Sequence, residues 1–165
     1  MIKAFFKLID KKLLLILILA LIASPVLCGK NTFSYCLIYS HYPTIYLNNI
    51  FLLFIYQYTY HLQQLFYPLI IRIQQNTFYL SSYCMIISLC FIYNIIFYIS
   101  YYLFFGLPTT NEFAFVIGYM FIHMVISGLE CSIVYLQLGQ KKNFIYLAIP
   151  MIMNILFHFT WIQHF

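Results

Sequence analysis

The chain offers three carboxylates for acid–base chemistry: Asp10, Glu112 and Glu130. Asp10 and Glu112 stand at the edges of apolar runs, whereas Glu130 stands inside one, several residues from either end. A charge placed in a hydrocarbon core costs about 2.5–3.5 kcal/mol or more, so such a residue should face other helices, water or a proton. His123, Ser127 and Glu130 are spaced i, i+4 and i+7, which puts all three on one face of a helix. Gly128 adjoins them and permits close helix approach. Two readings fit this polar seam. It lines a pathway or proton site, or it is a protonated glutamate hydrogen-bonded within a bundle.

Other chemistries find no footing. The chain contains no G-x-x-x-x-G-K-[ST] loop, so it does not hydrolyse ATP by that route. It has neither a G-x-S-x-G elbow nor an H-E-x-x-H helix, and no pair of acids stands ready for paired-carboxylate work. The cysteines are Cys28, Cys36, Cys84, Cys90 and Cys131, and no two form a C-x-x-C pair, which removes support for zinc and thioredoxin-like readings. Cys84, Cys90 and Cys131 lie in apolar runs and read as small packing residues. Cys28 and Cys36 flank the first loop, where a disulfide depends on geometry the sequence does not carry. His61, Gln63 and Gln64 read as a helix end in the headgroup region. The expectation is a chain that is not an enzyme and needs no cofactor or metal.

The elements that must position these residues follow from composition. Of 165 residues, 65% are hydrophobic and 7% charged, with a mean hydropathy of +0.93. A soluble domain carries about 25% charged residues. Too little charge remains for a water-facing surface, so a lipid bilayer is the expected partner. The net charge of +5 comes from small basic groups between apolar runs. That arrangement reads as membrane orientation and excludes a nucleic-acid patch. A spanning helix needs about 20 apolar residues. The runs predict an all-α, polytopic transmembrane bundle of about five spanning helices in one domain, 1–165: 13–28, 44–66, 83–105, 113–138 and 144–162. The positive leader before the first run suits a signal peptide or a first helix, and Leu27 before Cys28 does not suit a lipoprotein site, so an uncleaved helix is expected. Pro43 and Thr44 open the second helix, and Thr110 or Asn111 caps the fourth. The polar stretch 67–82 is the largest internal break and is expected at a membrane surface. With the N-terminus in the cytoplasm, Lys3, Lys7, Lys11, Lys12, Arg72, Lys141 and Lys142 lie inside and only Lys30 outside. The expectation is a multi-pass cell-membrane protein, N-terminus in and C-terminus out.

In Tyr67-Pro68-Leu69-Ile70-Ile71-Arg72, followed by Gln74, Gln75, Asn76, Phe78, Tyr79 and a long helix, a Pro and apolar residues precede an Arg, then a short polar segment, an aromatic and a further helix. This outline resembles small permease-type membrane subunits of ABC transporters in low-GC Gram-positive bacteria, including bacteriocin-associated ones. The resemblance covers about residues 60–105. The chain departs from the pattern in carrying one basic residue in the loop and five expected helices where many such permeases have six. The resemblance implies a separate ATP-binding subunit docking at Arg72, Gln74 and Gln75, and export of, or immunity to, a peptide or lipid-like compound. The other reading is a non-transporting immunity or scaffold protein that binds another membrane protein, as a homo- or hetero-oligomer.

Overall fold

The computed structural model describes residues 7–29, 32–70, 74–110 and 112–163. Every regular element among them is helical: α1 (Lys11–Leu27), α2 (Phe33–Ile38), a π-helical segment (Tyr42–Leu47) that runs into α3 (Asn48–Ile70), α4 (Gln75–Phe105), α5 (Phe113–Tyr135) and α6 (Ile145–Gln163). The all-α expectation holds. Among the described residues two helices, α4 and α5, are long and apolar enough to cross a membrane by length and composition, against the five expected. The difference has local causes. α1 has 17 residues, and α6 presents a short apolar stretch, Ile145–Thr160, among the side chains described. α3 is diluted by Asn48, Asn49, Gln57, His61, Gln63 and Gln64.

Helix starts follow side-chain chemistry. Asp10 opens α1, its carboxylate accepting from the main-chain N–H of Lys12 at 2.9 Å and Leu13 at 3.5 Å. First-turn N–H groups have no partner within the helix, so an acceptor there is stabilising. The apolar run of α1 buries one stripe, Leu17, Leu21, Ser24 and Pro25, flanked by the partly buried Leu13, Leu14 and Ala20, and exposes its other residues. α3 is the central helix, packed against α1, α4, α5 and α6. From Leu47 to Leu62 it is buried around most of its circumference, as a helix surrounded by neighbours must be. Phe51 of α3 stacks on Tyr93 of α4, with ring centroids 3.9 Å apart and planes within 2°. Such a pair adds about 0.5–1.5 kcal/mol beyond its burial.

Four expectations are corrected. The segment 67–82 is not a long break: α3 continues to Ile70, Gln74 occupies the N-cap position and α4 begins at Gln75. Nothing in 74–105 is Gly or Pro, and Gln is a good helix former. Its polar residues sit on an exposed turn while Phe78, Ser82 and Ile86 start the buried stripe. The loop 29–43 contains α2, capped by Thr32, whose Oγ1 accepts from the Tyr35 N–H at 3.4 Å. The cap position of α5 is Glu112 rather than Thr110. Its carboxylate caps nothing and accepts from the Ser34 hydroxyl at 2.5 Å. Asn111 lies outside the described residues. α5 ends at Tyr135, three residues early, and Gln137 ties down the turn that follows. Its amide donates to the Lys141 carbonyl at 3.3 Å and accepts from the Asn143 N–H at 3.2 Å.

The five long helices alternate in direction. At one end of the bundle His61 meets the Leu8 carbonyl at 3.1 Å, Gln63 donates to the Gln140 carbonyl, and Lys142 Nζ sits 4.6 Å from the Tyr60 ring centroid. At the other end the Ser24 and Tyr101 hydroxyls are 2.5 Å apart, and His41 meets His158. Lys7, Lys11, Lys12, Lys141 and Lys142 therefore gather at one end and Glu112 lies at the other. Lys3, Lys30 and Arg72 lie outside the described residues.

Candidate functional site

His123, Ser127 and Glu130 lie on the buried face of α5, 1%, 2% and 1% exposed. The same stripe carries Val116, Tyr119, Cys131 and Val134. The three polar residues thus share a face, as their spacing requires, and that face is turned into the bundle.

His123 belongs to a hydrogen-bonded hub across four helices. Its Nε2 lies 2.9 Å from the Asn48 amide nitrogen, and its Nδ1 lies 2.7 Å from the Tyr98 hydroxyl. Asn48 also donates to Asn154 Oδ1 at 3.1 Å and accepts from the Tyr93 hydroxyl at 3.0 Å. Asn154 in turn donates to Asn49 Oδ1 at 3.3 Å. An amide NH₂ only donates, so Nε2 of His123 must accept. The ring hydrogen then resides on Nδ1 and points at Tyr98, which passes its own hydrogen to the Met120 carbonyl at 3.2 Å. The ring is neutral in this arrangement, because a doubly protonated imidazole has no acceptor to offer Asn48.

Deeper along α5, the partner helix is α4. Tyr98 faces His123, and Cys90 faces Cys131 closely enough for the two thiols to interact. One antiparallel register generates both pairs, each step moving four residues along both helices. It places Asn94 opposite Ser127, midway between them. The Asn94 amide donates to the Cys90 carbonyl at 2.9 Å and reaches its sulfur at 3.6 Å. Asn94 Oδ1, Ser127 Oγ and Glu130 Oε1 are buried and have no hydrogen-bond partner. Glu130 stands beside the thiol pair and Tyr93, with which it interacts electrostatically.

A second polar cluster lies toward the end opposite the lysines. His158, one turn beyond Asn154 on α6, places Nδ1 2.7 Å from the Thr44 hydroxyl and Nε2 2.7 Å from Nδ1 of His41. His41 is exposed, so this cluster links the bundle end to the interior. Near it, Cys28 and Cys36 come together, each thiol lying 3.9 or 4.0 Å from the other's main-chain carbonyl.

The other expected site falls at the lysine end. Gln74 and Gln75 are exposed at the tip of α4, together with Asn76 and Thr77. Arg72 lies outside the described residues. The structure does not bring Gln74 and Gln75 together with the α5 seam, since they stand at the mouth of the bundle and the seam in its interior.

Sequence reading missed Asn48, Asn94, Asn154, Thr44, His158, Tyr93 and Tyr98. A signal was present. Asn154 and His158 share a helix face, as do Cys90, Asn94 and Tyr98, side chains able to hydrogen-bond that repeat at four-residue steps within apolar runs. Among the described residues no group of three or more His, Cys, Asp or Glu could hold a metal ion. Comparison with known families, curated proteins and solved structures yields no match.

Proposed function

We propose that the chain is an integral membrane protein whose five long helices all cross the bilayer, and that it serves as the membrane subunit of an ABC-type export system working with a separate ATPase. The inside-out polarity of the bundle supports the membrane part. Outward faces carry Leu103, Phe121, Ile22 and Ile152, at 76%, 69%, 65% and 55% exposure, while Asn48, Asn94, His123, Glu130 and Asn154 are within 1–2% of complete burial. In water this distribution would leave apolar surface bare on every outward helix. In lipid the apolar faces meet hydrocarbon, and the buried Asn48, His123 and Asn154 side chains find hydrogen-bond partners inside the bundle, as the bilayer demands. The gathering of the described lysines at one end supports an N-terminus in the cytoplasm and a C-terminus outside. A helix of 17 residues spans about 25 Å, close to the hydrocarbon thickness, so α1 serves as a crossing helix despite its length.

The export part rests on the tip of α4. At 31 residues α4 is about 46 Å long, well beyond a membrane core of about 30 Å. The excess of about 16 Å includes the polar turn Gln75–Thr77 at the lysine end, where a cytoplasmic ATPase would dock. Purification of the tagged chain from its native membrane in mild detergent tests this. A stoichiometric ATP-binding subunit, lost on Arg72→Glu, is the expected result; recovery without one under gentle conditions would sink the reading.

The second reading, a non-transporting immunity or scaffold protein that binds another membrane protein, is favoured by one observation. The His123 hub is closed on itself, and the apolar cavity of about 290 Å³ lined by Tyr98, Ile99, Phe113 and Ile117 borders outward-facing side chains. Co-purification with another membrane protein in place of an ATPase is the result this reading expects, and an ATPase partner would remove it.

A further inference from the structure

The α4–α5 interface holds three oxygen atoms that its packing leaves without partners. Asn94 Oδ1, Ser127 Oγ and Glu130 Oε1 are buried, on residues 1%, 2% and 1% exposed. The register fixed by Cys90–Cys131 on one side and Tyr98–His123 on the other sets Asn94 opposite Ser127, and Glu130 follows Ser127 by one turn. An unsatisfied buried polar atom costs about 1–3 kcal/mol, so three within about one helical turn call for an occupant.

We propose that Asn94, Ser127 and Glu130 form a buried site for a single hard monovalent cation, with sodium as the ion. The donor set is an amide oxygen, a hydroxyl and a carboxylate, which are hard oxygen ligands. One carboxylate supplies one negative charge, so a monovalent ion leaves the site neutral, whereas a divalent ion would remain half compensated in the interior. The described neighbours of Glu130 are engaged elsewhere, the Tyr93 hydroxyl donating to Asn48. Both nitrogens of His123 are engaged by Tyr98 and Asn48, and the Cys90 and Cys131 thiols are engaged with each other. The soft sulfur pair and the hard oxygen set are thus adjacent, and only the second has open acceptors. Close packing, with all three residues at 2% exposure or less, suits the smaller alkali ion over potassium. Main-chain carbonyls and water complete the coordination. The site needs only the α4–α5 interface and stands independently of the export reading.

Thermal unfolding of the purified full chain in detergent micelles, titrated with sodium, potassium or choline chloride at constant ionic strength, tests the site. The expected result is a saturable rise of the midpoint with sodium, a weaker one with potassium and none with choline. Ser127→Ala, which removes one oxygen from a small residue, should raise the half-saturating sodium concentration about tenfold or more, and Glu130→Gln should abolish the response. If Glu130→Gln does not fold, binding of radioactive sodium to the unchanged chain and to Ser127→Ala, both confirmed as folded by size exclusion, gives the second readout. Indistinguishable midpoints in the three salts with no sodium bound, or a sodium response unchanged in Ser127→Ala and Glu130→Gln, would overturn the proposal.

Discussion

The amide of Asn48 holds His123 at 2.9 Å through the same nitrogen that donates to Asn154 at 3.1 Å, while its oxygen accepts from Tyr93. One side chain on the central helix thereby ties α4, α5 and α6 together. Asn48→Ala strips partners from three interior atoms at once. With about 1–3 kcal/mol for each atom left unsatisfied, the loss should reach about 3 kcal/mol or more. Asn49→Ala removes only the 3.3 Å bond from Asn154 and should cost about 1 kcal/mol. Unfolding in detergent micelles measures both, and equal losses would dissolve the hub argument.

The legible and illegible parts of this interior differ for a physical reason. His123, Ser127 and Glu130 could be placed on one face because they interrupt a single apolar run, and helix periodicity alone relates them. Asn48, Asn94 and Asn154 lie in three different runs. Their meeting depends on the register and crossing of α3, α4 and α6, which no local pattern encodes. The start of α4 was misread for the opposite reason: Gln75 to Ser82 is polar enough to pass for a surface loop, yet contains no Gly or Pro to stop a helix. The gathering of lysines at one end was legible, because it follows from the alternation of the runs and their basic flanks.

Gly139 closes α5's descent with φ at +86°, in the left-handed region, and a Cβ built on it would lie 3.0 Å from the Tyr79 hydroxyl oxygen. Gly139→Ala therefore carries backbone strain of about 1 kcal/mol together with a side-chain collision. Adding Tyr79→Phe removes the colliding atom. The double variant should recover part of the loss seen in Gly139→Ala, in a thermodynamic cycle measured by micellar unfolding. Strictly additive effects would mean that backbone conformation is the whole cost.

Orientation can be read with single cysteines placed in a chain whose native cysteines are replaced. Thr109 is exposed at the end opposite the lysines, and Lys141 is exposed among them. Applied to intact cells, a membrane-impermeant maleimide should label Thr109→Cys and spare Lys141→Cys until the membrane is permeabilised. The reverse pattern would invert the protein. Labelling of both from outside would show that α5 does not cross.

The last prediction concerns the pair on which the α4–α5 register depends. Cys90 and Cys131 are 3% and 0% exposed and face each other across the α4–α5 interface, whereas Cys84 is exposed on the outer face of α4. A disulfide needs Cβ atoms about 3.5–4.5 Å apart, a condition that thiols facing each other across packed helices come close to meeting. In a chain retaining only Cys90 and Cys131, iodine, an apolar oxidant small enough to enter the bundle, should join them. The product would be a monomer whose gel mobility shifts back on reduction. A chain retaining only Cys84 and Cys131 serves as the control. The register places Cys84 near Gln137 rather than Cys131, and its side chain faces away from α5, so no intramolecular product is expected. Equal cross-linking in the two chains would mean that α4 and α5 slide or rotate against each other, and the opposition of Asn94 to Ser127 would fall with it.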